Sequence, residues 1–404
     1  MKQNVVQKCI SCAAEYDADD PIYSCVKCGS LLEVQVTIMD QFDGRSLASK
    51  WELREKTIWR FQELIPITGQ VVSLMEGGTP LYRAERAARW AGVRRIYVKF
   101  EGSNPTGSFK DRGMSVGVSK AVELKKKIVV CASTGNTSSS MSAYAAAAGL
   151  KAVVVVPKAG IAAGKLFQTV LHGAKTVQIA EGFDKALSSV LSKALGSEVY
   201  ILNSVNPWRI EGQKTLAFEL WSDLKSGDYL VSVPVGNCGN ISAIWKGFKE
   251  LRELNLVDEL PRLVAVQAEG ASPFVDMVNR GENFLRPVEK PSTIASAIRI
   301  GKPVNWMKAL KAVRESEGLA EKVSDRLILE AQRVLAAEVG LGVEPASAAS
   351  LAGVRRLVEK GLIDQSSTVV CVATGHALKD PNTDIISPYL SRETVTLEEV
   401  LKSV

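Results

Sequence analysis

The chain predicts an α/β protein: two doubly wound α/β domains preceded by a small N-terminal zinc-ribbon-like segment. Three observations carry this. Short β-branched runs recur from Arg95 onward, helix-length amphipathic stretches separate them, and four of the seven cysteines fall in two Cys-x-x-Cys pairs near the start. A chain of 404 residues, 46% of them hydrophobic, is also too long for one compact core.

Taken in order, residues 1–40 hold Cys9, Cys12, Cys25 and Cys28, two thiolate pairs separated by a short polar hairpin. That spacing suits a tetrahedral zinc site, and about forty residues need such a staple because they cannot build a core alone. In a reducing compartment disulfides are the weaker explanation. Residues 41–75 carry Trp51, Trp59 and Phe61 among charges and read as a connecting helical segment packed on the main body. Strands are expected at Arg95–Phe100, Ile128–Cys131, Ala152–Pro157, Thr176–Ile179, Val199–Leu202, Tyr229–Val235, Leu263–Gln267 and Thr368–Ala373. Helices are expected between them at Thr137–Ala148, Ala162–Leu171, Lys185–Leu195, Glu211–Leu224 and Ile241–Leu254, with a short tail helix at Thr396–Val404. Strand alternating with helix means parallel sheets covered on both faces. We divide this body into a smaller α/β domain, residues 76–205, and a larger one, residues 206–404. Cys131, Cys238 and Cys371 sit in or beside apolar runs and read as small buried hydrophobes.

A net charge of +6 with no like-charge run longer than Lys125–Lys127 argues against a nucleic-acid or membrane-surface partner. The ribbon hairpin, with Glu15, Asp17, Asp19 and Asp20, is acidic where phosphate binding wants lysine and arginine. No apolar leader and no run of eighteen uncharged apolar residues is present, so a soluble, cytoplasmic protein is expected.

Chemistry is sought in loops at strand carboxyl ends and in one lysine motif. In Asn104-Pro105-Thr106-Gly107-Ser108-Phe109-Lys110-Asp111-Arg112-Gly113, a turn set by Pro105 and Gly107 leads into a helix with Ser108 as the expected N-cap. A lysine held there is partly desolvated, which favours the neutral nucleophilic amine that Schiff-base chemistry requires. Taken alone, Ser-x-Lys is an ordinary first helical turn. The loop Ser133-Thr134-Gly135-Asn136-Thr137 opens a helix and offers donors for a carboxylate, although taken alone simple helix capping is the better explanation. Gly236-Asn237-Cys238-Gly239-Asn240 lets the backbone approach an anion at a helix N-terminus. It lacks the third glycine of a dinucleotide fingerprint and the Lys-Ser/Thr of a P-loop, so a single phosphate monoester suits it better than a nucleotide. Thr374-Gly375-His376-Ala377-Leu378-Lys379-Asp380 places a hydroxyl where it reaches a ring heteroatom. His376 is one of two histidines and reads as structural, which leaves lysine the favoured base.

These segments, together with Glu76-Gly77-Gly78-Thr79-Pro80-Leu81, resemble in order the fold type II pyridoxal-phosphate enzymes, and among them the threonine synthase family, over effectively the whole chain. The continuation Asp111-Arg112-Gly113 and the cysteine ribbon are similar to that family rather than to threonine dehydratases. The resemblance implies that pyridoxal 5'-phosphate attaches to Lys110, which later shuttles protons, and that Gly236, Asn237, Cys238, Gly239 and Asn240 hold its phosphate. It further implies Asn136 at the phenolic oxygen, Thr374 at the pyridine nitrogen, and Ser133, Thr134 and Thr137 at the substrate carboxylate. Lys165, Asn203, Ser204 and Arg209 match the positions for the substrate phosphate. The implied reaction converts O-phospho-L-homoserine and water to L-threonine and phosphate, in a homodimer. The alternatives are a serine or threonine dehydratase, a cysteate synthase and, in a different class, a zinc-ribbon nucleic-acid-binding protein.

Overall fold

The computed structural model describes residues 4–37, 42–157, 163–179 and 198–381. The helices expected at Lys185–Leu195 and Thr396–Val404 lie outside the described residues. The strands are β1 (Asn4–Cys9), β2 (Glu15–Asp17), β3 (Leu32–Thr37), β4 (Leu81–Arg83), β5 (Arg95–Phe100), β6 (Ile128–Ala132), β7 (Lys151–Pro157), β8 (Lys175–Ile179), β9 (Val199–Ile201), β10 (Leu230–Pro234), β11 (Arg262–Ala268), β12 (Leu319–Val323) and β13 (Thr368–Ala373). They form an antiparallel ribbon sheet β2-β1-β3, a six-stranded sheet β12-β11-β10-β13-β5-β4 and a four-stranded sheet β8-β7-β6-β9. Both larger sheets are parallel except for β4, which pairs antiparallel with β5 at an edge.

The helices are α1 (Gly44–Leu53), α2 (Glu85–Ala91), α3 (Lys110–Glu123), α4 (Asn136–Ala147), α5 (Ala163–Leu171), α6 (Trp208–Gln213), α7 (Thr215–Leu224), α8 (Gly239–Glu253), α9 (Pro273–Asn279), α10 (Trp306–Glu315), α11 (Asp325–Val339) and α12 (Pro345–Glu359). The connecting segment is α1 followed by a 3-10 turn, Ile58–Leu64. Trp51 and Phe61 from it are fully buried against Phe218 on α7, with ring centroids 5.1 Å apart for Trp51–Phe61 and for Phe61–Phe218. Truncating one such aromatic costs about 3–5 kcal/mol, so this segment belongs to the main core.

Two expectations change. The helix expected over Glu211–Leu224 is two helices meeting at Lys214, because α6 lies directly on the backbone of α3: a side chain at Gly212 would come 1.9 Å from the Arg112 carbonyl oxygen. The α/β units are also not consecutive in the chain. β4 and β5, within residues 76–205, join the larger sheet because Ile96 and Val98 are buried in one core with Leu230, Val264 and Val369. The ribbon touches both units. Tyr23 Oη accepts from the Ile201 N–H at 2.7 Å and Asp19 pairs with Lys120 on α3 at 2.6 Å, while Lys308 on α10 donates to the Leu32 carbonyl at 2.7 Å.

Candidate active site

Four chain segments converge on the start of α3. Gly107 takes φ +83°, a conformation glycine adopts without strain, and turns the chain toward Lys110. Antiparallel contacts then clamp this turn to the loop after β13: the Phe109 N–H donates to the Thr374 carbonyl at 3.0 Å and the His376 N–H to the Gly107 carbonyl at 2.9 Å. Ser108 does not cap α3 as expected. Its buried hydroxyl has no partner among the described residues, and Phe109 holds the cap position. Asp111 organises the turn instead, accepting from the Thr106 N–H at 2.7 Å and its hydroxyl at 2.6 Å, and from Ser140 on α4. Burial pushes the Asp111 carboxyl up to about 6, against the pull of those hydrogen bonds.

Lys110 opens α3 with its Nζ 3.8 Å from the centre of the Phe109 ring. Desolvation, reinforced by the Arg209 guanidinium and partly offset by Glu344, holds its ammonium down to about 7. A neutral amine is therefore well populated near neutrality, the state a nucleophile for carbonyl carbon must reach.

Around it the sequence-predicted residues sort by how completely they are paired. Asn136 at the start of α4 donates to both oxygens of Glu344, at 3.2 and 2.9 Å. The Thr374 hydroxyl donates to the same carboxylate at 3.1 Å and lies 2.9 Å from Ser347 Oγ. Glu344, the residue before Pro345 and α12, thus ties two predicted site residues together, and burial raises its pKa. Glu344 is not among the residues expected from the sequence. The available signal was an acid immediately before a helix-opening proline, followed by the small-residue run Ala346-Ser347-Ala348-Ala349-Ser350.

Ser133, Thr134, Gly135 and Thr137 are half-buried at the rim between β6 and α4, and a Cβ added at Gly135 would meet no atom within 4 Å. Asn203 bonds both the N–H and the carbonyl of Ala132 at 3.0 Å, which ties it to the end of β6 and leaves one N–H of its amide beyond those two bonds. Ser204 is half-buried, its carbonyl accepting from Asn305 at 3.0 Å. Arg209 on α6 is buried, its Nε has no partner among the described residues, and desolvation lowers its pKa to about 10. Lys165 lies in α5, but its side chain is outside the described residues.

The Gly236–Asn240 turn joins β10 to α8, with Cys238 in the left-handed region at φ +64°. A Cβ at Gly239 would meet Asn305 Nδ2 at 3.6 Å, and one at Gly236 the Ala297 carbonyl oxygen at 3.1 Å, so both glycines sit against neighbouring segments beside the first N–H groups of the helix. Asn240 is buried with neither amide atom partnered among the described residues. His376 is structural, its Nδ1 accepting from the Leu378 N–H at 3.1 Å. Cys131, Cys238 and Cys371 are buried, as expected. In the ribbon, the four predicted Sγ atoms lie within 4.8 Å of one another, a spacing that fits a tetrahedral ion at about 2.3 Å from each sulfur.

A family model described as pyridoxal-phosphate dependent enzyme matches residues 72–375, and the chain belongs to that family. Within it, the chain is 50% identical over 380 residues to threonine synthase from Methanosarcina acetivorans, covering 94% of this chain and 93% of that one. It is 48% identical over 408 residues to threonine synthase from Methanocaldococcus jannaschii, covering 99% of both. Among solved structures, a fungal L-serine ammonia-lyase from Rhizomucor miehei shares the fold, with a TM-score of 0.66 at 24% identity over 79% of this chain and 98% of that one. The residues present fit the family's cofactor: a lysine poised as amine, an Asn240 amide without partners among the described residues at a helix N-terminus for a phosphate monoester, and a hydroxyl at Thr374 for a ring nitrogen. Among the described residues, no helix is long and apolar enough to cross a membrane.

Proposed function

We propose that this chain, a pyridoxal-phosphate-dependent lyase by family, converts O-phospho-L-homoserine and water to L-threonine and inorganic phosphate. Lys110 would hold the cofactor aldehyde, Gly236 to Asn240 its phosphate, Asn136 its phenolic oxygen and Thr374 its ring nitrogen. When bound, pyridoxal 5'-phosphate supplies an electron sink for negative charge developing at carbon next to the substrate nitrogen.

The chain's own groups do the rest. Lys110 Nζ takes the proton from the substrate α-carbon and serves again at the β-carbon as phosphate leaves the γ-carbon. Ser133, Thr134 and Thr137 would orient the substrate carboxylate, and Asn203, Ser204 and Arg209 would serve its phosphate, a role the sequence also assigns to Lys165. A neutral hydroxyl at Thr374 does not enforce a protonated ring, which moderates the sink. Water must stay out until it adds at the β-carbon, so the four-stranded unit is expected to close over bound substrate.

The observation that carries this reading is the buried Lys110 at the start of α3, its turn clamped by the Phe109 N–H to the Thr374 carbonyl and its amine in the field of Glu344, which Asn136 and Thr374 both bond. Relatives named threonine synthase, matched along nearly their whole length, select the reaction. The test is phosphate release from phosphohomoserine against ketoacid formation from threonine; ketoacid as the main product would make the chain a dehydratase. We further assign structural zinc to Cys9, Cys12, Cys25 and Cys28, checked by metal analysis of purified protein. A cytoplasmic homodimer accompanies the family reading, checked by light scattering and cell fractionation.

A further inference from the structure

Lys379 has no role in the reading above, yet it stands at the seam between the two α/β units. It ends the short turn Ala377–Lys379 that follows Thr374, and its aliphatic stem crosses the lysine loop: a Cβ built at Gly107 would come 3.2 Å from Lys379 Cδ. Its ammonium reaches across to α5, where it donates to Gln168 Oε1, on the helix that carries Lys165. Among the described residues, this neutral amide is its hydrogen-bond partner and no carboxylate lies within ion-pair distance. Asp111 and Glu344 attract it only from farther away, and burial pushes its pKa below the ordinary lysine value.

A half-buried ammonium facing a neutral amide is incompletely compensated, and an anion with several acceptor oxygens would complete it. The neutral hydroxyls of Ser133, Thr134 and Thr137 suffice for a carboxylate, whereas a departing phosphate ester carries up to two charges and calls for a formal cation.

We propose that Lys379 is a specificity-determining residue that binds the substrate's phosphate group, giving up Gln168 to do so. This rests on the phosphohomoserine reading. It also accounts for a lysine on the same loop as the ring-facing hydroxyl, since one loop would then register cofactor and phosphate together.

The test uses holoenzyme, with inorganic phosphate as the binding probe and phosphohomoserine as substrate. Lys379→Met is expected to raise both the phosphate Kd and the substrate KM by at least about 30-fold, the scale of removing one charge from a desolvated pair, with the visible cofactor band unchanged. Lys379→Arg should recover most of the loss, because a guanidinium also pairs with phosphate. Changes below about 3-fold in both quantities would overturn the proposal. So would Gln168→Ala reproducing Lys379→Met, which would make the contact an interdomain latch. Wild-type holoenzyme that binds phosphate through Lys379 but leaves phosphohomoserine intact would overturn the reaction assigned above and leave this anion site standing.

Discussion

Two buried polar regions flank α3, and they are built on opposite principles. Behind the helix, Arg112 is fully buried and fully paired: it bonds Glu101 at 2.6 and 2.7 Å and Glu219 at 2.6 and 2.8 Å, while Lys99 on β5 reaches Glu219 at 2.9 Å. In front, two residues earlier, Lys110 lies in the field of Arg209, whose Nε has no partner among the described residues, and the Asn240 amide proposed for the cofactor phosphate has none among them either. The rear network staples α3 to the larger sheet and fixes where the lysine starts. The front keeps polar groups uncompensated, a cost a protein sustains where a ligand completes them. Behind α3 every guanidinium nitrogen of Arg112 is paired, whereas in front Arg209 Nε and the Asn240 amide have no partner among the described residues.

The comparison can be broken from either side. Lys110→Ala should reduce turnover by at least about 10³-fold, in keeping with loss of both attachment point and base, while circular dichroism stays that of the folded protein. Arg112→Met should instead destabilise the fold by about 3–5 kcal/mol in urea titrations, because it leaves two buried carboxylates facing one another. Asn240→Ala should have the reverse sign on the cofactor-free protein, raising its stability by about 1 kcal/mol as an unpaired amide is removed, while weakening cofactor binding about 10-fold. A loss of stability in Asn240→Ala would show the front to be scaffold as well.

A gentler probe is pH. Desolvation, aided by Arg209, lets folded cofactor-free protein release the Lys110 proton near pH 7, whereas the unfolded chain keeps it to the ordinary lysine range. Between those values the unfolded state binds more protons, so this group makes stability rise with pH through that window. Lys110→Met should flatten the rise, read from denaturation midpoints across the window.

Much of this was legible in the sequence because the signals are local. β-branched runs such as Lys151–Pro157 declare buried parallel strands, and Cys-x-x-Cys pairs declare their own partners. The Gly236–Asn240 turn was readable as a strand-to-helix junction, although Cys238 rather than either glycine takes the left-handed conformation there. The illegible features are relational. β12 (Leu319–Val323) carries Glu321 and Lys322 in its middle and reads as a strand only beside β11. Glu344 becomes a site residue only through Asn136, 208 positions away. The two bonds that tie Asn203 to the Ala132 backbone, 71 positions away, are relational in the same way. Ser108 has the composition of a helix cap, but Asp111 does the organising from inside the helix.

The central claim, that Lys110 carries the cofactor, is tested most directly by reducing the purified protein with borohydride and mapping the modified peptide. The account predicts a visible absorption band that disappears on reduction, with the pyridoxyl mass on Lys110. A colourless protein that takes up no added pyridoxal phosphate, or a label on another lysine, would contradict it.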